Sequence, residues 1–236
     1  YEAERQSSFF TTGGLAAVHV EDRSKQGIWN GFKNKETYAT SGPQILLWFD
    51  LITTSETFPM GSKVNLEKNP VFEVKAVGSF KQKPGCPDFG LSANDNARLK
   101  KICGGECFNP SNERRNITRI EVIKITPQNY NDEPVDELIE DTWKVFDCKP
   151  SQDGCKIRFS DREFQRNGRD SVYYVRAIEE PSLRVNGDNL RCEYDDQGNC
   201  IKVNICHGSY LTDKKDDCVS LSEERAWSSP IYVNKI

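Results

Sequence analysis

The chain of 236 residues carries 36 acidic and 32 basic side chains, a net charge of -4 and a pI near 5.4. This balance gives no bulk attraction to nucleic acid or anionic lipid, so no nucleic-acid partner is expected. The longest wholly apolar run, at 45–49, is far shorter than the roughly 20 residues that cross a bilayer, so no membrane span is predicted.

The first forty residues predict a helix at 2–10 and then a strand, a second helix and a strand. The apolar run at 15–18 is typical of a buried strand. Asp22 or Ser24 can cap the second helix, and a strand at 37–40 follows it. One face of this helix is apolar: Ile28, Trp29 and Phe32. Such a piece reads as one parallel crossover unit, which needs cover on both faces and therefore belongs to a larger α/β body.

The sequence begins at Tyr1, and Met60 is its only methionine. We therefore expect an upstream segment of the same precursor, present as a second chain that packs against this one and completes the α/β body. The oligomeric state beyond that partner stays open.

After Pro43 the pattern changes to the alternation that is typical of β-strands. Strands are predicted at 72–77, 117–125, 172–178 and 227–233, the last with Trp227, Ile231 and Val233 facing the core. A short helix is predicted from Ser92, and 133–141 forms either a helical turn or an extended link. The predicted fold is mainly β, an antiparallel β-sandwich over 44–236 with disulfide-clipped loops, preceded over 1–43 by a strand-helix-strand piece of an incomplete α/β barrel.

The cysteines indicate the compartment. Three pairs flank short polar segments, which is typical of disulfide-clipped loops in an oxidising compartment, so a periplasmic or secreted location is expected. The nine candidates are Cys86, Cys103, Cys107, Cys148, Cys155, Cys192, Cys200, Cys206 and Cys218, with 148–155, 192–200 and 206–218 as the pairs. One of the first three is expected to be free or bonded outside the chain. The alternative is a zinc site built from Cys103, Cys107, Cys206 and His207.

Few residues are candidates for binding. His19 ends a predicted strand, where α/β barrels place active-site groups; the alternative is a partly exposed strand residue. Thr40 and Ser41 can present hydroxyls to a substrate, although a tight turn with Gly42 is the preferred interpretation. Arg5 can reach an anionic substrate, but an exposed arginine is more often solvated or ion-paired.

Other acidic groups are weaker candidates. Asp195 opens a segment with a faint likeness to a calcium loop, but the pattern lacks its alternating oxygens. Glu179 and Glu180 are neighbours on a strand and point to opposite faces, so they cannot act as an acid and base pair. No catalytic residue and no metal ligand is predicted within this chain.

Five segments carry a resemblance to a known family. They are the block Glu4 to Leu51 with GGLAAVHV and TSGP, PMG at Pro59, FSDREF from Phe159, VYYVRAIEEPS from Val172 and ERAWSSPIYV from Glu224. The chain resembles the C-terminal part of a bacterial family of exported proteins of unknown function. That family is similar to PHP-type metallohydrolases, including carbaryl-hydrolase-like members.

The resemblance implies that residues 1–43 form the C-terminal edge of a PHP-like barrel and that 44–236 form an accessory sandwich. It implies a metal-dependent hydrolase of the cell envelope whose divalent transition metals are held upstream, so this chain alone lacks the ligands and its status as an enzyme stays open. The alternative is a noncatalytic binding or structural module that recognises a glycan or an envelope partner.

Overall fold

The structure is a computed structural model that describes residues 13–86, 95, 97–98, 108–185, 187, 190–204, 206 and 218–236. The helix predicted at 2–10 lies outside the described residues, as does most of the one predicted from Ser92. Within the described part of the chain, no helix is long and apolar enough to cross a membrane.

The elements of the first half, in chain order, are β1 (Leu15–Val18), α1 (Lys25–Lys33), β2 (Thr37–Thr40), β3 (Leu46–Ile52), β4 (Thr57–Pro59), β5 (Lys63–Leu66), β6 (Val71–Val77), β7 (Phe80–Pro84), β8 (Phe108–Arg114) and β9 (Ile117–Ile125). The second half contains a 3₁₀ turn (Val135–Glu137), β10 (Ile139–Asp147), β11 (Cys155–Ser160), α2 (Phe164–Asn167), β12 (Ser171–Glu179), β13 (Ser182–Val185), β14 (Cys192–Tyr194), β15 (Cys200–Val203), β16 (Val219–Ser222), β17 (Arg225–Ser228) and β18 (Ile231–Lys235).

Two sheets form the body of the protein. The larger has eight strands in the order β1-β2-β17-β12-β18-β5, with β9 on the other edge of β12 and β10 beyond it. The smaller has four strands in the order β11-β6-β3-β4. Every pairing is antiparallel except that of β18 with β5, so the predicted mainly β, antiparallel fold is confirmed. Neither sheet closes into a barrel among the described strands.

The core between the sheets is aromatic at its centre. Phe72 on the smaller sheet contacts three other rings, with centroids 5.4 Å from Phe49, 5.2 Å from Phe159 and 4.7 Å from Tyr173. Phe49, Phe72 and Tyr173 are fully buried. Aliphatic residues that alternate along β3, β6, β9 and β12 surround this stack. Period-two alternation in the sequence therefore marks the strands that build the core.

Disulfides clip the loops as the cysteine spacing predicts. Cys148 and Cys155 join the end of β10 to the start of β11, with 5.7 Å between their Cα atoms, and so tie the two sheets together. The pairs 192–200 and 206–218 are also confirmed. Cys86 is disulfide-bonded, and so is not the odd cysteine; Cys103 and Cys107 lie outside the described residues. These disulfides are typical of an oxidising environment outside the cytoplasm.

The front of the chain differs from the prediction in its topology. Strands β1 and β2 pair antiparallel, with Val18 opposite Thr37, so the predicted parallel crossover is wrong. After α1 the chain runs back beside β1 in the opposite direction. Strands β1 and β2 are therefore direct neighbours in the sheet. On its other edge β2 pairs with β17, where Tyr38 lies opposite Ser228 and Thr40 opposite Ala226, and both residues of β2 are buried. The division into domains at residue 43 stays a prediction.

The prediction for Trp227 is also wrong, because the last strand is interrupted. Ala226 and Ser228 are buried on β17, whereas Ile231 and Val233 are buried on β18. Ser229 and Pro230 lie between the two strands, so the buried positions change from even to odd numbers. The side chain of Ser228 accepts a hydrogen bond from the Val175 backbone at 3.0 Å across this break. Trp227 is therefore only partly buried, on the opposite side of the sheet.

Candidate functional site

The turn after β2 contains two of the predicted binding residues. Thr40 is buried at the end of β2. The Ser41 backbone N–H donates to the Arg225 carbonyl at 2.9 Å, and the Ser41 hydroxyl accepts from the Arg225 N–H at 2.9 Å. The same hydroxyl donates to the carboxylate of Glu224. The Ser41 side chain is thus engaged on both sides within the fold, and a substrate role for Thr40 and Ser41 stays a prediction.

Gly42 allows this turn. Its φ of 139° lies where residues with a side chain are strained, and Pro43 then ends the pairing of the strand. The Gly42 N–H donates to the Thr40 hydroxyl at 3.3 Å. The contacts of both hydroxyls agree with the preferred interpretation of this segment as a tight turn.

Two buried carboxylates lie behind the turn. Glu224 forms an ion pair with Arg184, with 2.9 Å between Oε1 and Nε. Glu179 has no exposed surface and accepts hydrogen bonds from the backbone N–H and the hydroxyl of Ser79. Burial raises the pKa of Glu179, and the bonds from Ser79 oppose that shift. Because each carboxylate is held by neighbours from another segment, this cluster fastens the turn and β17 to the rest of the body.

His19 follows β1 and lies against the smaller sheet. Its Nε2 contacts the Leu47 carbonyl oxygen at 2.8 Å, and its ring lies 5.4 Å from Tyr38 and 5.7 Å from Trp48. Burial and the Glu73 carboxylate raise the pKa of nearby Asp50, whereas His19 acts in the opposite sense. His19 is thus a partly buried histidine that contacts one backbone carbonyl and two aromatic rings. A metal or substrate role for it stays a prediction. Arg5 lies outside the described residues.

A buried ionic cluster that the sequence patterns did not predict lies between the sheets. Lys124 on β9 and Asp161 after β11 lie 2.7 Å apart, Nζ to Oδ2, and Tyr173 donates to the same oxygen at 2.7 Å. Burial by itself raises the pKa of Asp161, but the bonds from Lys124 and Tyr173 hold it below its ordinary value. Along β9, Lys124 lies at the same alternate positions as the buried residues Ile120 and Val122. A lysine at one of these positions was the signal in the sequence for a buried charge.

The acidic candidates are explained by local structure. Asp195 accepts hydrogen bonds from the backbone of Gln197 and Asn199 and from the Asn199 amide, so its oxygens close a turn. Glu180 accepts from Asn116 and points away from Glu179, as expected. Cys206 is disulfide-bonded to Cys218 and is therefore no zinc thiolate, which rules out the four-ligand zinc alternative. Among the residues that the structure describes, no group of three His, Cys, Asp or Glu can hold a metal ion.

An exposed apolar surface lies at the front of the chain. We call it the front surface and define it by four side chains: Leu15 on β1 and Ile28, Trp29 and Phe32 on α1. Trp29 is 64% exposed and Phe32 51%. Among the described strands, β1 ends the larger sheet and pairs on one edge only, with β2. Gly31 lets α1 approach Val18 and His19 closely, because a Cβ there would lie 2.5 Å from a Val18 methyl. Ile28, Trp29 and Phe32 on the same helix remain exposed.

The matched part of the chain contains this surface. Residues 1–81, about a third of the 236, match the model of a protein family described as a protein of unknown function, DUF3604. No curated protein and no solved structure matches the chain. The class that fold and match together support is a mainly β, disulfide-bonded protein with a DUF3604 segment at its front; the link to PHP-type metallohydrolases stays an expectation from the resemblance.

Proposed function

We propose that this chain is the C-terminal supporting part of a larger metal-dependent hydrolase of PHP type in the cell envelope. In this proposal, other polypeptide of the same precursor packs on the front surface and carries the metal centre. The observation that supports it is the exposure of large apolar side chains on α1 beside an edge of β1 that pairs with no other described strand, within the segment that matches DUF3604.

Burial of the front surface would stabilise an assembly. Full burial of one large apolar side chain contributes about 1.5–3 kcal/mol, and α1 offers Ile28, Trp29 and Phe32 on one side. The second edge of β1, which pairs with none of the strands that the structure describes, also offers backbone N–H and C=O groups to a further strand. A partner that uses both features would gain apolar contact and directed hydrogen bonds at one site.

The buried carboxylates that the structure describes are held by other side chains. The described residues contain no cluster that fits a metal centre, and the carboxylates of Glu179, Glu224 and Asp161 are engaged by Ser79, Arg184 and Lys124. We therefore assign no catalytic step to this chain. The disulfides support a periplasmic or secreted location for the proposed hydrolase.

Co-expression of this chain with the preceding polypeptide of its precursor tests the proposal. We expect the two to co-purify, to separate when Trp29 and Phe32 are both replaced by serine, and to hold transition metal that this chain alone does not hold. The matched control is Leu183→Ser, because Leu183 is 62% exposed on the β13-β16 ribbon and lies outside the front surface. Co-purification that survives the front-surface substitutions would contradict the proposed interface. A stable complex without bound metal would instead favour the noncatalytic module.

A further inference from the structure

The buried ion pair between the sheets is arranged for more than electrostatic attraction. The side chains of Lys124 and Asp161 are 6% and 0% exposed, and their reactive ends are 2.7 Å apart. The Trp143 ring lies 5.3 Å from Lys124 Nζ, and Tyr173 pairs with Lys124 across the β9-β12 ladder. An amine and a carboxyl group are thus held in contact in an apolar, aromatic interior.

Each oxygen of the Asp161 carboxyl group has a separate donor. Oδ1 accepts from the Glu163 backbone N–H at 2.9 Å, whereas Oδ2 accepts from the Tyr173 hydroxyl at 2.7 Å. The first donor can stabilise negative charge on Oδ1 if the carboxyl carbon is attacked, and the second can deliver a proton to Oδ2 as it leaves. Burial and the Asp161 charge raise the pKa of Tyr173, so its hydroxyl stays protonated.

Burial by itself disfavours the charged pair, an effect that the bonds from Lys124 and Tyr173 to Asp161 oppose. A buried ion pair loses the hydration of both ions, and in a medium of low polarity a neutral amine beside a neutral acid becomes competitive with the charged pair. An amide in the same place carries no charge at all. Because the fold holds the groups in contact, their reaction is intramolecular and has a large proximity advantage.

We propose that Lys124 and Asp161 condense to an isopeptide bond that covalently joins the two sheets. A proton passes from the Lys124 ammonium to Asp161 Oδ2, and the freed amine attacks the Asp161 carboxyl carbon. The Nζ–Cγ bond forms, the Cγ–Oδ2 bond breaks, and Oδ2 leaves as water with a second proton from the nitrogen. Tyr173 relays that proton and ends unchanged. The step neither oxidises nor reduces any group and needs no further reactant.

Intact-mass spectrometry of the purified, fully reduced and denatured chain tests this bond. The expected mass is about 18 Da below the sequence mass, the loss of one water. Proteolysis should yield one branched peptide that joins the segment around Lys124 to the segment around Asp161. The full sequence mass in the folded, purified chain, with separate peptides, would overturn the proposal whatever the behaviour of any variant.

Variants separate this bond from other dehydrations. Lys124→Arg keeps the positive charge but should restore the full mass, whereas a cyclic imide at Asp153-Gly154 would lose water in that variant too. The matched control is Lys156→Arg, because Lys156 and Glu73 form a pair of similar length, 2.8 Å, in contact with solvent. It should keep the mass loss. Tyr173→Phe should slow bond formation by about 100-fold, measured as the cross-linked fraction against time after synthesis.

Discussion

The interior between the sheets and the front surface use similar apolar residues in opposite ways. In the interior, Phe49, Phe72 and Tyr173 are completely buried against one another. At the front, Trp29 and Phe32 lie mostly exposed on a helix that contacts its own chain by the opposite side. The first region is complete within this chain, whereas the second has apolar area that a partner can bury. The proposed function accounts for this difference, because it places other polypeptide on the front surface and none between the two sheets.

Replacement of a central core ring should have the largest effect. Phe72→Ala removes contacts with three neighbouring rings and leaves a cavity between the sheets. We expect a loss of about 3–5 kcal/mol in the free energy of unfolding, measured by urea denaturation. Phe108→Ala, at an exposed position on β8, is the control and should change it by less than about 0.5 kcal/mol. Equal effects at both positions would contradict the closed interior.

A smaller loss is expected where the front segment joins the sandwich. Gly61 has a φ of 91°, and a Cβ there would lie 2.4 Å from the Lys35 carbonyl oxygen beyond α1. Gly61→Ala should therefore cost about 2–4 kcal/mol, through backbone strain and the displaced contact. Gly13→Ala meets no atom within 4 Å and serves as the control in thermal unfolding. An unchanged melting temperature in Gly61→Ala would show that the front segment is not anchored there.

Removal of the disulfide between the sheets should cause the next largest loss of stability. Replacing Cys148 and Cys155 together by serine should cost about 2 kcal/mol, at the low end for disulfides because the closed loop is short. The same change at Cys192 and Cys200 affects a peripheral hairpin and should matter less. Guanidinium denaturation of both double variants measures the difference. A larger loss in the hairpin variant would contradict the assignment of the sandwich as the stable unit.

A surface ion pair should make a small, pH-dependent contribution. The hydrogen bond from Arg119 lowers the pKa of Glu223 from its ordinary value of 4.5. A carboxyl group with a lowered folded-state pKa stabilises the fold above its unfolded pKa, and that stability is lost as the pH falls through the folded value. Because the pair is partly solvated, we expect Glu223→Gln to cost about 0.5–1 kcal/mol at pH 7 and progressively less as the pH falls below 4.5. A constant cost across this range would contradict an ionic origin.

In this chain alone, a front-surface substitution should have the smallest effect of all. Trp29→Ser removes an exposed side chain from α1, so the free energy of unfolding should change by less than about 0.5 kcal/mol. Denaturation followed by circular dichroism measures it. A loss as large as that in Phe72→Ala would mean that Trp29 is already buried in this chain, and the contrast between the two regions would disappear.

Local patterns in the sequence predicted many elements correctly. Strands β1, β2 and β9 have the predicted limits, and Ser24 caps α1 by accepting from the Gly27 N–H at 2.9 Å. These features depend on alternation and capping within a few residues. The three cysteine pairs are also local, since each closes a short polar segment.

Long-range pairing could not be predicted in the same way. The position of β2 beside β17 depends on residues almost 190 positions apart, and nothing in either strand specifies its neighbour. The break at Ser229 and Pro230 reverses the phase of the last strand, so uninterrupted alternation wrongly assigned Trp227 to the core. Lys124 is recognisable in the sequence as a charged residue among alternating apolar ones. Its partner Asp161 follows a different strand, β11, so the sequence does not show that the two residues meet.

The exposure of Trp29, measured with and without the proposed partner polypeptide, is the decisive observation for the proposed interface. Hydroxyl-radical labelling should modify Trp29 readily in this chain and far less when the polypeptide that we propose to precede it is present. Tyr194, 66% exposed on the clipped β14-β15 hairpin, provides the internal reference and should be modified equally in both samples. Equal modification of Trp29 in the two samples would contradict the proposed interface, because the front surface would then be open to solvent even when the other polypeptide is present.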